Sequence, residues 1–276
     1  MDKQTLDAKL AYNCARKIIK GRTREDEPVI AKDADSAYRY ARHIIKDRWL
    51  EAEAAIAQDA KSAFLYARHV LDGRWPEAEG KIATSAYYAY MYALEILDAR
   101  WPEAELIIAK NGTQAFFYAR NVIKERWPEA EPIIAKKAKT AYFYARAVIK
   151  GRWQDAEATI AKNAEFAYLY AGDIIRGRWP EAESTIAKSP RESYQYARHI
   201  IKDRWLNAEE AIAKNTRYKE CYCQEFFPNQ EVTTKNEVTE FEWMRSGATG
   251  FFAPKELFNK PISLLDIGFT SLQNSV

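Results

Sequence analysis

A chain of 276 residues with 47% apolar and 29% charged side chains carries enough apolar surface to fold and too much to be disordered over most of its length. Its 42 Lys and Arg against 39 Asp and Glu leave a net charge of +3, too weak a field to drive the protein onto nucleic acid or anionic lipid. No stretch approaches the roughly 18 apolar residues that a membrane-spanning helix needs, and no apolar signal-peptide core follows Met1-Asp2-Lys3-Gln4. The three cysteines, Cys14, Cys221 and Cys223, supply neither a disulfide framework nor a metal motif. The expectation is a cytoplasmic protein with no membrane partner.

A tryptophan returns every 26 residues, as Trp49, Trp75, Trp101, Trp127, Trp153, Trp179 and Trp205, and a fixed period of this size marks a repeat array. The first unit, residues 8–33, keeps Tyr12, Ala15, Arg16, Ile18, Ile19, Gly21 and Arg22. It has Thr23 in the tryptophan slot and Cys14 in a tyrosine slot, as an N-terminal capping repeat would. Seven fuller units begin near Ala34, Ala60, Ala86, Gly112, Ala138, Ala164 and Pro190 and run to residue 214. A further start is visible at Asn215-Thr216-Arg217-Tyr218, with Tyr222 on the tyrosine register and Phe226 and Phe227 on the Ile-Ile register. Residues 228–276 differ in kind: Glu231-Val232-Thr233-Thr234 and Glu240-Phe241-Glu242-Trp243 suit short extended pieces, and Gly247, Gly250 and Pro254 suit turns. The expected division is an array over 1–214 and a small irregular extension over 215–276, serving as a C-terminal cap or a partner-binding appendage.

Each unit predicts two helices. In the first, Ala37, Tyr40, Ala41, Ile44 and Ile45 fall at the spacing of a buried helical stripe. Gly21, Gly73, Gly151 and Gly177 follow, where a left-handed cap favours glycine. Pro76, Pro102, Pro128 and Pro180 suit the first turn of a short second helix, whose acidic start matches the helix dipole. Pro28 and Pro132 come four residues later, where an established helix would lose a hydrogen bond, so there the helix proper starts after a separate turn. Hairpins this short cannot bury both faces alone and must stack. The fold class is therefore all-α, a right-handed α-solenoid of about eight 26-residue hairpins.

The recurring positions divide into scaffold and reader. Tyr or Phe at 12, 38, 64, 90, 116, 142, 168 and 194, and Tyr at 40 through 196, suit inter-repeat packing better than a platform for stacked bases. The arginines from Arg22 to Arg204 each precede by five residues a glutamate of the run Glu27 to Glu209, a pairing that cancels the field a phosphate track requires, with arginine stacked on tryptophan as one packing option. A second basic set, Arg42, Arg68, Arg120, Arg146 and Arg198, is interrupted at Leu94 and Gly172 and is the candidate for anion contact.

What varies is more informative than what repeats, and two slots of the first helix carry it. One reads Arg39, Leu65, Met91, Phe117, Phe143, Leu169 and Gln195, and the other, four residues on, His43, His69, Glu95, Asn121, Ala147, Asp173 and His199. Residues four apart share a helix face, so variable side chains on a fixed scaffold form a candidate partner-binding stripe. The alternative is that the first slot is packing that varies only in size. The histidines lack a second imidazole or thiolate within their own repeats, which argues against a metal or catalytic site. No nucleotide loop or nucleophile elbow is present, and no cofactor is expected.

Units of the form Ala-Tyr-x-Tyr-Ala-Arg-x-Ile-Ile-Lys-Gly-Arg-Trp-Pro-Glu-Ala-Glu resemble the short helical repeats of uncharacterised proteins from tailed bacteriophages and some bacteria, over about residues 8–214. The architecture is similar to that of tetratricopeptide and Sel1-like arrays. That resemblance implies a non-enzymatic, protein-binding scaffold, acting in the host cytoplasm on a host or host-defence protein if phage-encoded. The alternative is a helical-repeat nucleic-acid reader, which the near-neutral charge disfavours.

Overall fold

The computed structural model describes residues 3–228, so the extended pieces and turns expected beyond 228 lie outside the described residues. Within them the chain is all-helical, with eight helical hairpins at the 26-residue period and one further first helix, Thr216–Phe226. That last helix carries the array past Lys214. None of the described helices is long and apolar enough to cross a membrane.

Each first helix has two parts, as in Ala86–Tyr92, which is α-helical, followed by Ala93–Leu97, wound as a π-helix. Buried alanines at the junction, among them Ala41, Ala67, Ala93 and Ala119, let the backbones of neighbouring elements approach. Several first helices are started by an Asp or Asn side chain: Asp33, Asp59, Asn163 and Asn215 each accept from the backbone N–H three residues on. Asn163, Asn215 and Asn111, which accepts from the backbone N–H groups of Thr113 and Gln114, open the next helix, and their own N–H groups close the previous one on Ile160, Ile212 and Ile108.

The end of each first helix departs from expectation. The left-handed conformation falls on the residue before the glycine slot, at Lys20, Lys46, Asp72, Asp98, Lys124, Lys150, Arg176 and Lys202. The wide π turn puts that residue's N–H onto an alanine carbonyl five back, as in Lys46 to Ala41 at 2.7 Å. Glycine is thus dispensable one position later, where Asp47, Ala99, Glu125 and Asp203 stand in other repeats. Pro28 and Pro132 enter the short helices Glu27–Ile30 and Glu131–Ile134 after a separate turn, and Pro76, Pro102 and Pro180 open longer ones, both as expected; Pro128 does not open a helix but lies in the turn before Glu131–Ile134.

Consecutive first helices pack on one another, and each second helix packs on the first helix of its own repeat and of the next. The second helices stand further apart, with a groove between Pro180–Ile186 and Leu206–Ala213 lined by Glu183, Lys188 and Trp205. The closest inter-repeat packing therefore runs along the first helices. The core is the regular series of fully buried tyrosines (Tyr40 to Tyr222), tryptophans and isoleucines, each buried isoleucine contributing roughly 1.5–3 kcal/mol.

The repeats are fastened by one recurring clasp. The Trp75 backbone N–H, at a turn outside any helix, donates to the Tyr92 hydroxyl of the next repeat at 2.7 Å. That hydroxyl in turn donates to Glu79 Oε1 at 3.0 Å, and Arg74 holds the same carboxylate through Nε (2.6 Å) and Nη2 (3.0 Å). The same set recurs from Trp49 to Trp205, and in the first repeat the Thr23 N–H takes the tryptophan's place on Tyr40 at 2.8 Å. Arginine does not stack on tryptophan: the guanidinium–ring contacts among the described residues involve Tyr194, Phe227 and Tyr218.

Two outcomes are expected. Tyr92→Phe leaves the buried Trp75 N–H without its acceptor and costs about 1–3 kcal/mol, while Tyr88→Phe, outside the clasp, stays within about 0.5 kcal/mol; urea unfolding midpoints compare them. The arginine hydrogen bond, foremost among the causes, holds Glu27, Glu79, Glu105, Glu131, Glu157 and Glu183 below the usual glutamate range. A depressed folded-state pKa contributes stability that is present above the unfolded value and lost as pH falls through the folded one. The midpoint should therefore be flat with regard to these groups above roughly pH 5 and drop steeply below it.

Candidate functional site

The glutamate beside every clasp arginine accounts for the whole ladder from Arg22 to Arg204 as structure, with bidentate pairs such as Arg100–Glu105, both bonds at 2.8 Å. The face built from the first helices carries the remaining chemistry, and both candidate sets fall on it.

In the second variable slot, side chains reach back to the preceding repeat. His69 stacks on Tyr38 with ring centroids 6.5 Å apart, and Glu95 pairs with Arg68 at 2.7 Å. Asn121 Nδ2 donates to the Tyr90 hydroxyl at 2.8 Å. Asp173 accepts from the Tyr142 hydroxyl at 2.5 Å and pairs with Arg146 at 3.3 Å, and His199 Nδ1 lies 3.1 Å from the Tyr168 hydroxyl. Each of these residues lies opposite the preceding repeat's first aromatic ring, and His69, Glu95 and Asp173 also lie opposite its second arginine, whereas Asn121 and His199 follow Leu94 and Gly172. Glu225 continues the series beyond the array's last full repeat, 3.5 Å from Arg198.

Arg120 is the exception. Phe116, four residues before it, has no hydroxyl, and Ala147, opposite it, has no carboxylate, so among the described residues it has no acidic partner. Where tyrosine occupies the slot four residues before, the arginine donates to it, as Arg16 to Tyr12 (2.9 Å) and Arg42 to Tyr38 (2.7 Å).

The first variable slot is half-buried at Arg39, Leu65, Met91, Phe143, Leu169 and Gln195, and Phe117 is buried outright at 2% exposure. Phe117 stacks on Tyr90 at 6.0 Å and packs on Phe116 at 5.0 Å, so it serves the scaffold. Around it runs a strip of aromatic contacts between repeats: Phe64–Tyr88 (5.9 Å), Phe116–Phe143 (6.4 Å) and Phe143–Phe166 (6.3 Å). Tyr88 and Phe166 belong to a third variable slot near the start of the first helix, which otherwise reads Ser36, Ser62, Gln114, Thr140, Glu192 and Tyr218. Comparing that column across repeats would have exposed it in the sequence; its mostly small polar residues disguise it as helix-start chemistry.

At the N-terminal end the two candidate sets meet. Arg39, Arg42 and His43 of one repeat, Leu65 of the next and Arg16 of the one before surround a cleft of about 220 Å³ with Tyr38 on its wall. Burial, with the nearby Arg16, Arg42 and Arg39, holds His43 below its ordinary pKa; burial, with Arg42 and Arg68, does the same for His69. The described residues contain no group of three or more His, Cys, Asp or Glu able to hold a metal ion. The face thus grades from a basic end, through an aromatic middle at Tyr88, Met91, Phe143 and Phe166, to polar pairs near Asp173 and His199.

Ala147→Asp should supply the acid that Arg120 lacks, as Asp173 does for Arg146. The expected gain is about 0.2–1 kcal/mol, read as a raised thermal midpoint that shrinks in high salt; the same change in an Arg120→Gln background should give no gain. Comparison with protein families, curated proteins and solved structures finds no match to this chain.

Proposed function

We propose that the protein is a non-enzymatic scaffold that captures a protein partner along the face of its first helices. The observation that carries this reading is the aromatic strip: Met91, Phe143, Phe166 and Tyr88 are only partly buried, on a face whose clasp groups are committed to joining repeats. Half-exposed aromatic and methionine side chains on a rigid frame are the composition of protein-binding surfaces. The matched arginine and glutamate ladders remove the basic track that backbone binding to nucleic acid requires. If the chain is phage-encoded, as the resemblance of its repeats to those of tailed-phage proteins implies, a host or host-defence protein is the natural class of partner, with the host cytoplasm as the place of action.

Affinity capture from host lysate tests this with the intact chain, a truncation after Lys214, a Met91→Glu/Phe143→Glu variant and a Leu106→Glu variant on a second helix, where Leu106 is 70% exposed. One specific protein should be retained by the intact chain and by Leu106→Glu, and lost by the double variant, with all arrays folded by circular dichroism. Retention by the double variant would move the site off this face. Nucleic acid bound at low salt, in place of protein, would favour the reader of RNA or DNA.

A further inference from the structure

We propose that the cleft at the N-terminal end of the first-helix face binds a phosphate monoester or free phosphate dianion. Its charged lining is Arg16, Asp35, Arg39, Arg42, His43 and Lys61. Asp35 and Arg39 neutralise each other at 2.8 Å, which leaves Arg16, Arg42 and Lys61 as excess positive charge.

At this end two successive arginines of the register lack an acid, whereas Arg120, which also lacks one, stands alone between Leu94 and the paired Arg146. Further along the same register, Arg68 faces Glu95, Arg146 faces Asp173 and Arg198 faces Glu225. Arg16 and Arg42 face His43 and His69 instead, and the polar partners they have are the neutral hydroxyls of Tyr12 and Tyr38. A hydroxyl that accepts one Nη1 bond fixes the direction of a guanidinium and leaves its charge uncompensated, with further N–H donors to offer. Two guanidiniums one repeat apart, with a lysine beside them, match the charge and the fork geometry of a tetrahedral dianion better than a single carboxylate. Tyr38 and Leu65 on the wall leave room for a short stem carrying the phosphate. This site does not depend on the protein-capture reading.

Calorimetric titration of the full chain with inorganic phosphate and, separately, with O-phosphoserine at low ionic strength tests the proposal. Arg16→Gln/Arg42→Gln should weaken binding about tenfold or more, the scale of one lost charge-assisted hydrogen bond. His69→Glu, which gives Arg42 the acid that Arg68 already has, should weaken it comparably with every arginine in place. Arg146→Gln should bind as the unaltered protein does, and thermal unfolding should show all variants folded. Tighter binding of phosphoserine assigns the site to a phosphate carried on a larger molecule, and equal or tighter binding of the free ion assigns it to phosphate itself. No heat with either probe, or undiminished binding by the double variant, overturns the proposal.

Discussion

The array depends on a hydroxyl group that satisfies two neighbours at once, accepting from a main-chain N–H and donating to a carboxylate. At the sharp turn between helices the tryptophan N–H points away from any helix, and burial beside the indole leaves it without water. An unsatisfied buried N–H is costly, and the tyrosine of the next repeat removes that cost while handing its own proton to a glutamate fixed by arginine. A repeat therefore completes its own backbone bonding only when the next repeat is in place. Thr23 shows that the contact is to the main chain, since the clasp persists there without the indole ring. The turn is set by a left-handed residue that costs on the order of 1–2 kcal/mol. It recurs in all eight hairpins because the π-wound helix end leaves the alanine carbonyl five residues back to its N–H.

This arrangement separates support from display. Tryptophan, clasp tyrosine, arginine and glutamate are consumed by the joints, and an array with nearest-neighbour joints can change one face without disturbing its stacking. The first-helix face is where the repeats differ, though under restraint, because most of the slot from His43 to His199 answers to the preceding repeat's ring and, where one is present, its arginine. The two ends of that restraint are informative. Where an acid is supplied the arginine is neutralised, and where histidine or alanine stands instead, charge is left available.

Much of the architecture was legible in the sequence because period, proline placement and paired ladders are local patterns. The repeat, the hairpins, the delayed helices at Pro28 and Pro132 and the structural pairing of Arg22 through Arg204 all follow from spacing. The position of the left-handed residue did not, since glycine recurs one place after it and π winding leaves no mark in composition. Nor did the identity of the backbone group that the clasp tyrosine's hydroxyl reaches, because that group lies 17 residues earlier. On the candidate face, Arg39, His43 and Leu65 of the variable stripe and Arg42 of the second basic set line one cleft, a juxtaposition that column alignment alone does not show. Phe117 falls to the packing alternative for its slot, its burial arising from two rings, Tyr90 and Phe116, that only packing reveals.

The central claim is that a side chain from the next repeat protects the turn amide of each repeat. Amide hydrogen exchange read at Trp75, Trp101, Trp127, Trp153 and Trp179 tests it directly, since these residues precede the second helices and would otherwise exchange as turn amides. Protection comparable to that of amides inside the first helices is the expected result. Exchange as fast as that of the exposed residues just before them, such as Arg100 and Arg126, would contradict it.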